Sequence, residues 1–150
     1  MASTLVIGYG NELRGDDAAG YRLAERLADD PAVAERGATV LARRQLTPDL
    51  ALDLSRVRRL VLLDATTGLA AGEVALQRIV AEDAAGAGAS SHHMTPEILL
   101  GLTAELYGSA PDTWLLSIGA ASLELGDDLS TEVTAALDRA RAKVLELLDA

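Results

Sequence analysis

Gly8-Tyr9-Gly10-Asn11-Glu12-Leu13-Arg14-Gly15-Asp16-Asp17-Ala18-Ala19-Gly20 follows the apolar run Leu5-Val6-Ile7 and ends where a helical pattern begins. The apolar run reads as a buried strand. A glycine turn between a strand and a helix ordinarily prepares a phosphate site on the helix N-terminus. Here Asp16 and Asp17 stand where the phosphate would sit. The positive end of a helix dipole tolerates carboxylates, but they repel a nucleotide. The turn therefore offers carboxylate, which points to a metal ion or to acid–base chemistry. Gly10-x4-Gly15 has P-loop spacing, yet Asp16-Asp17 replace the Lys-Ser/Thr pair. Gly8-x-Gly10 lacks the third glycine of a dinucleotide fingerprint, because Leu13 occupies that place.

Outward from this turn, apolar runs alternate with amphipathic ones. Thr4–Tyr9 reads as strand one and Asp17–Leu27 as helix one, with Ala18, Tyr21, Leu23 and Leu27 near helical spacing. Thr39–Ala42 is a short second strand. Thr47 and Pro48 read as the N-cap and first turn of a helix carrying Leu50, Leu52 and Leu54. Arg59–Asp64 is strand three, apolar throughout at Leu60-Val61-Leu62-Leu63, as expected for a strand covered on both faces. Gly72–Val80 alternates less cleanly and reads as an edge strand. Ala81–Ser91, rich in Ala, Gly and Ser, reads as a mobile loop. Thr95-Pro96-Glu97 opens a helix to about Tyr107, Thr113–Ile118 is another apolar strand holding Trp114, and Ser130 caps a final helix. The alternation predicts one domain over residues 1–150: a three-layer α/β/α fold with a five-stranded, mostly parallel twisted sheet, phosphorylase/hydrolase-like in type.

The totals restrict the function classes. One hundred and fifty residues, 49% of them hydrophobic, suit a single core. With aromatics at 3% and no Phe, that core is built from Leu, Val, Ile and Ala. A net charge of -10 argues against nucleic acid and against anionic membrane surfaces. No cysteine is present, so disulfides, thiolate metal sites and a Cys nucleophile are excluded. No run approaches the ~20 apolar residues of a membrane span, and no signal peptide is recognisable, so the expected compartment is the cytoplasm. Ser-His-Asp catalysis lacks its G-x-S-x-G elbow.

In parallel α/β sheets, sites lie beyond the carboxyl ends of the strands. Asp17 follows strand one, Asp64 ends strand three, and His92-His93 close the Gly/Ser loop before Thr95. Two carboxylates and an imidazole make an O,O,N set for a borderline divalent ion such as zinc, nickel or cadmium, with positions left for water or substrate. Blander roles are open at each position. Asp16 or Asp17 can cap helix one, Asp64 can cap a turn, and the histidines can be loop surface. Asn11 and Arg14 can be plain turn residues, and Glu12 solvent-exposed.

The pattern Gly8-x-Gly10-Asn11-x-Leu13-x-x-Asp16-Asp17-x-x-Gly20, then Asp64-Ala65, then Ser90-Ser91-His92, resembles the hydrogenase maturation endopeptidases, over essentially the whole chain. The resemblance implies an endopeptidase that removes a C-terminal extension from the precursor of a nickel–iron hydrogenase large subunit. It also implies metal-binding, catalytic positions at Asp17, Asp64 and His92, with Asp16 and His93 as the competing neighbours. The first ligand is often Glu in the family, so Asp17 is one carbon shorter. Ser117-Ile118-Gly119 falls where the family has a glycine-containing strand end near the cleft. The resemblance further implies that the nickel belongs to the substrate, with zinc or cadmium able to substitute. Two other readings are a non-catalytic, metal-sensing chaperone of the same precursor and a small nucleotide-binding α/β domain.

Overall fold

The structure is a computed structural model that describes residues 4–82, 94–126 and 128–150. In chain order the elements are β1 (Thr4–Tyr9), a 3-10 turn (Gly15–Ala18), α1 (Ala19–Ala28), α2 (Pro31–Glu35) and β2 (Thr39–Arg43). Then come α3 (Leu50–Ser55), β3 (Arg59–Thr66), β4 (Val74–Ile79), α4 (Pro96–Tyr107), β5 (Asp112–Gly119) and α5 (Thr131–Asp149). The sheet order is β2-β1-β3-β5-β4. All pairs are parallel except β4 with β5, so the expected edge strand is present and runs antiparallel.

Strand period decides the layers. Leu5, Ile7, Leu60 and Leu62 face one side, where they bury Leu50 and Leu54 of α3 and Leu99 and Leu100 of α4. Val6, Val61, Leu63, Leu116 and Ile118 face the other, against Leu23 and Leu27 of α1, Val33 of α2 and the apolar stripe of α5. That stripe, Val133, Ala136, Leu137, Ala140, Val144 and Leu147, recurs on one face over about four turns of helix. Each fully buried Leu or Val contributes ~1.5–3 kcal/mol, so the core rests on many medium aliphatics rather than on aromatics. This is the three-layer, mostly parallel architecture that the alternation predicts.

Local differences have local causes. Helix one begins at Ala19, not Asp17, because Gly15–Ala18 forms a 3-10 turn first. Thr47 is not a helix N-cap. Its carbonyl accepts from Leu50 N at 3.1 Å in a turn, and α3 starts only at Leu50. The short α2 was unexpected, although its signal is plain: the Asp30 carboxylate accepts from Ala32 N at 3.0 Å and Pro31 takes the first turn. The caps at Thr95 and Ser130 are as expected, accepting from Ile98 N and Val133 N. The predicted loop Ala81–Ser91 lies outside the described residues from residue 83 onward.

Three glycines of the opening motif bring the start of α1 hard against the sheet. A Cβ on Gly8 would lie 2.0 Å from the Gly20 carbonyl oxygen, and one on Gly20 would lie 2.2 Å from that of Leu63. Gly10 adopts φ +151°, and a Cβ there would lie 1.9 Å from the Asp17 carbonyl oxygen. The glycines that imitate a phosphate loop thus serve close backbone packing.

Candidate active site

The chain leaves β1 toward β2 on one flank and returns to β3 on the other. The order reverses between β1 and β3, and the crevice at their carboxyl ends is where open α/β sheets hold ligands. Gly8 is in register with Leu63, so Tyr9 and Asp64 are neighbours at the next step. Tyr9 continues the Leu5-Ile7 face and Asp64 the Leu60-Leu62 face, so both point to the same side of the sheet.

Asp64 is half-buried. Burial pushes its carboxyl from 3.8 up to about 6; the Ala65 amide and the Tyr9 hydroxyl hydrogen-bond to it and hold the rise back, while the Asp17 charge adds to it. The Ala65 contact, amide to Asp64 Oδ1 at 2.8 Å, lies within β3, so Asp64 does not cap a turn. Burial, then Asp64 itself, raise the Tyr9 hydroxyl far above its ordinary value, so it stays protonated as a donor. Glu97, in the first turn of α4, acts on Tyr9 in the same direction.

The adjacent aspartates have separate roles. Asp16 is 1% exposed, and its carboxylate accepts from Ala121 N at 2.7 Å, Ser122 N at 3.2 Å and Ser130 N at 2.6 Å. Burial works against the charge there, but the amides of Ser130, Ala121 and Ser122 outweigh it and hold Asp16 below its ordinary value. Asp16 thereby ties the segment after β5 to the first turn, with Gly15 N to Gly126 O at 2.9 Å and Asp16 N to Ser122 O at 3.0 Å beside it. Its carboxylate is committed to these backbone amides rather than to the crevice. Asp17 is half-buried and accepts from Asn11 N at 2.8 Å. Neither aspartate makes a side-chain cap on the 3-10 turn or on α1.

Asp17 and Asp64 are therefore brought together at the crevice. His92, with its competitor His93, lies outside the described residues. Among the described residues no group of three His, Cys, Asp or Glu side chains is arranged to hold a metal ion. Asn11 shapes the turn, its Oδ1 accepting from Leu13 N at 2.9 Å. Glu12 is half-buried rather than exposed and lies 4.0 Å from Arg22. Ser117 is in register with Asp64, which puts the end of β5 beside the crevice. Trp114 is partly buried and packs on the core, as expected.

Sequence reasoning missed Tyr9 and Glu97. Tyr9 carried a weak signal, the continuation of the Leu5-Ile7 alternation, but its partner depends on the β1–β3 register. Glu97 read as helix-start chemistry alone.

No protein-family model and no curated protein matches the chain. Solved structures do. The [NiFe] hydrogenase maturation protease HycI from Thermococcus kodakarensis KOD1 is 23% identical with a TM-score of 0.72, covering 99% of this chain and 94% of that one. The hydrogenase 2 maturation peptidase from Thaumarchaeota archaeon SCGC_AB-539-E09 is 26% identical with a TM-score of 0.70, covering 98% of each. The hydrogenase maturating endopeptidase HybD from E. coli is 23% identical with a TM-score of 0.69, covering 99% and 93%. Over nearly its whole length the chain has the fold of the nickel–iron hydrogenase maturation proteases, the family that its opening motif resembles.

Proposed function

We propose that this protein is an endopeptidase that removes the C-terminal extension of a nickel-loaded nickel–iron hydrogenase large-subunit precursor, acting in the cytoplasm. Asp17, Asp64 and His92 engage the precursor's nickel. The observation that supports this reading is the meeting of Asp17 and Asp64 at the switch point between β1 and β3, close enough for one charge to raise the pKa of the other. Two carboxylates so placed repel each other, and a divalent cation relieves that repulsion. The nearby Tyr9 donor directs the Asp64 carboxylate.

The nickel arrives as part of the substrate and supplies Lewis acidity at the scissile peptide. The chain's own residues do the rest. An oxygen and nitrogen donor set leaves room for ligands that the precursor already supplies. A carboxylate of the pair takes a proton from the attacking water and returns it to the departing amine, so both carboxylates end as they began.

The test is cleavage of the purified, nickel-loaded precursor, read as the loss of its tail by mass. Wild type is expected to cut. Asp17→Asn, Asp64→Asn and His92→Ala are expected to fold and leave the precursor intact. Normal processing by all three variants refutes the reading. Precursor that binds wild type without losing mass assigns a chaperone role instead.

A further inference from the structure

A cavity of ≈ 440 Å³ opens beside Asp17, lined by Asn11, Arg14, Arg44 and Gln45 as well as Asp17 itself. Arg14 and Arg44 are exposed, and neither forms an ion pair among the described residues. Arg44 makes one long contact, Nη2 to Asn11 Oδ1 at 3.3 Å, which leaves the rest of its fork free. Five other arginines each pair with a carboxylate. Arg22 pairs with Glu25, Arg26 with Asp138, Arg36 with Asp149, Arg78 with Asp112 and Arg141 with Asp30.

Two unpaired guanidiniums at one cleft are conspicuous in a chain of net charge -10. They cannot serve a divalent cation, which they repel. They suit an anion, and the planar fork of arginine matches a carboxylate in two-point contact. The net charge elsewhere disfavours anionic partners in general, so a local cationic wall selects where an anion can dock.

We infer that Arg14 and Arg44 form a carboxylate-binding rim that holds an acidic group of the precursor's C-terminal segment beside Asp17. The inference rests on the processing role and adds to it a determinant of substrate choice. The carboxylate is either an acidic side chain of the segment or its free terminus; both present the same chemistry to the two arginines.

The experiment compares KM and kcat for the nickel-loaded precursor with wild type, Arg14→Gln/Arg44→Gln and Arg58→Gln. Each is measured at low and at raised sodium chloride. Arg58 is exposed and precedes β3, at the opposite end of the sheet from the crevice. The double variant is expected to raise KM about tenfold or more, the size of a lost charge-assisted hydrogen bond, with a much smaller fall in kcat. Its KM also loses most of its salt dependence, while Arg58→Gln matches wild type. A precursor whose tail Asp and Glu are changed to Asn and Gln, and one ending in a carboxamide, separate the two sources: only the one that removes the bound carboxylate reproduces the raised KM on wild type. A double variant with wild-type KM and wild-type salt dependence overturns the rim while leaving the processing role standing. Failure of wild type to cut overturns the processing role, and the rim falls with it.

Discussion

The Tyr9 hydroxyl lies against the Asp64 carboxylate at the adjoining ends of β1 and β3, and each side chain shifts the other's titration. The contact follows from register and strand parity alone, since Tyr9 continues one inward face and Asp64 the same face of the next strand. Tyr9→Phe removes the one side-chain hydrogen bond that, among the described residues, holds Asp64 down. The Asp64 pKa is expected to move above about 6, carrying the acidic limb of the processing pH profile upward with it. An unchanged limb would remove Tyr9 from the site's electrostatics. The stability cost of the lost bond is expected near 1 kcal/mol, read by denaturant unfolding.

Asp64 also sets a stability prediction whose sign is unusual for a carboxylate. Its folded pKa is raised from 3.8 to about 6, so the folded state holds the proton more tightly than the unfolded chain does. That contribution is fully present below about pH 4 and is lost as pH rises through about 6. Ionisation of Asp64 then costs up to about 3 kcal/mol. Asp64→Asn is therefore expected to be more stable than wild type at pH 7.5, with the gap closing toward pH 4, while processing is lost. Unfolding of both proteins at the two pH values checks this, and equal stability throughout would contradict it.

Asp16 and Asp17 are expected to fail in opposite ways. Asp16→Ala strands the buried amides of Ala121, Ser122 and Ser130. The expected cost is at least about 3 kcal/mol, a melting temperature lower by roughly 6–12 °C. The lowered Asp16 pKa means that wild type keeps this support at neutral pH and loses it as pH falls through the depressed value. Asp17→Asn keeps an acceptor for Asn11 N and is expected to melt within about 2 °C of wild type, yet to leave the precursor uncut. Calorimetry and the cleavage assay on both variants separate scaffold from site.

Gly20→Ala tests the close packing of the opening motif. Its Cβ would lie 2.2 Å from the Leu63 carbonyl oxygen and 2.9 Å from that of Tyr9, both backbone atoms on the strands that carry the site. Relief requires α1 to move off the sheet. The variant is expected to lose more than about 3 kcal/mol or to accumulate as insoluble protein, measured as soluble yield and melting temperature. Wild-type yield and melting would show that α1 has slack that the structure lacks.

What the sequence makes legible follows from how local each signal is. β1 and β3 are readable because Leu5-Val6-Ile7 and Leu60-Val61-Leu62-Leu63 are apolar on both faces. α4 is readable because Thr95 and Pro96 carry a helix start within two residues. Asp17 and Asp64 stand out because each comes after such an apolar run, and a parallel sheet puts the carboxyl ends of its strands on one edge. Thr47-Pro48 has the same helix-start chemistry but closes a turn first, since Thr47 O accepts from Leu50 N before α3 begins. The Tyr9–Asp64 pair needs the β1–β3 register, and the place of Arg44 in the cleft needs β2 beside β1. Those are non-local facts that spacing along one chain does not encode. Asp16 and Asp17 are indistinguishable by residue type. Only the three amides that reach Asp16 from beyond β5 assign it to the scaffold.

The proposed role requires that the cleft read the precursor's nickel before its tail is cut. The most direct measurement is the intact mass of purified large-subunit precursor after incubation with this protein, in parallel samples with and without nickel loaded. The C-terminal segment is expected to be lost from the nickel-loaded precursor alone. Equal cleavage of both samples, or an unchanged mass in both, would contradict it.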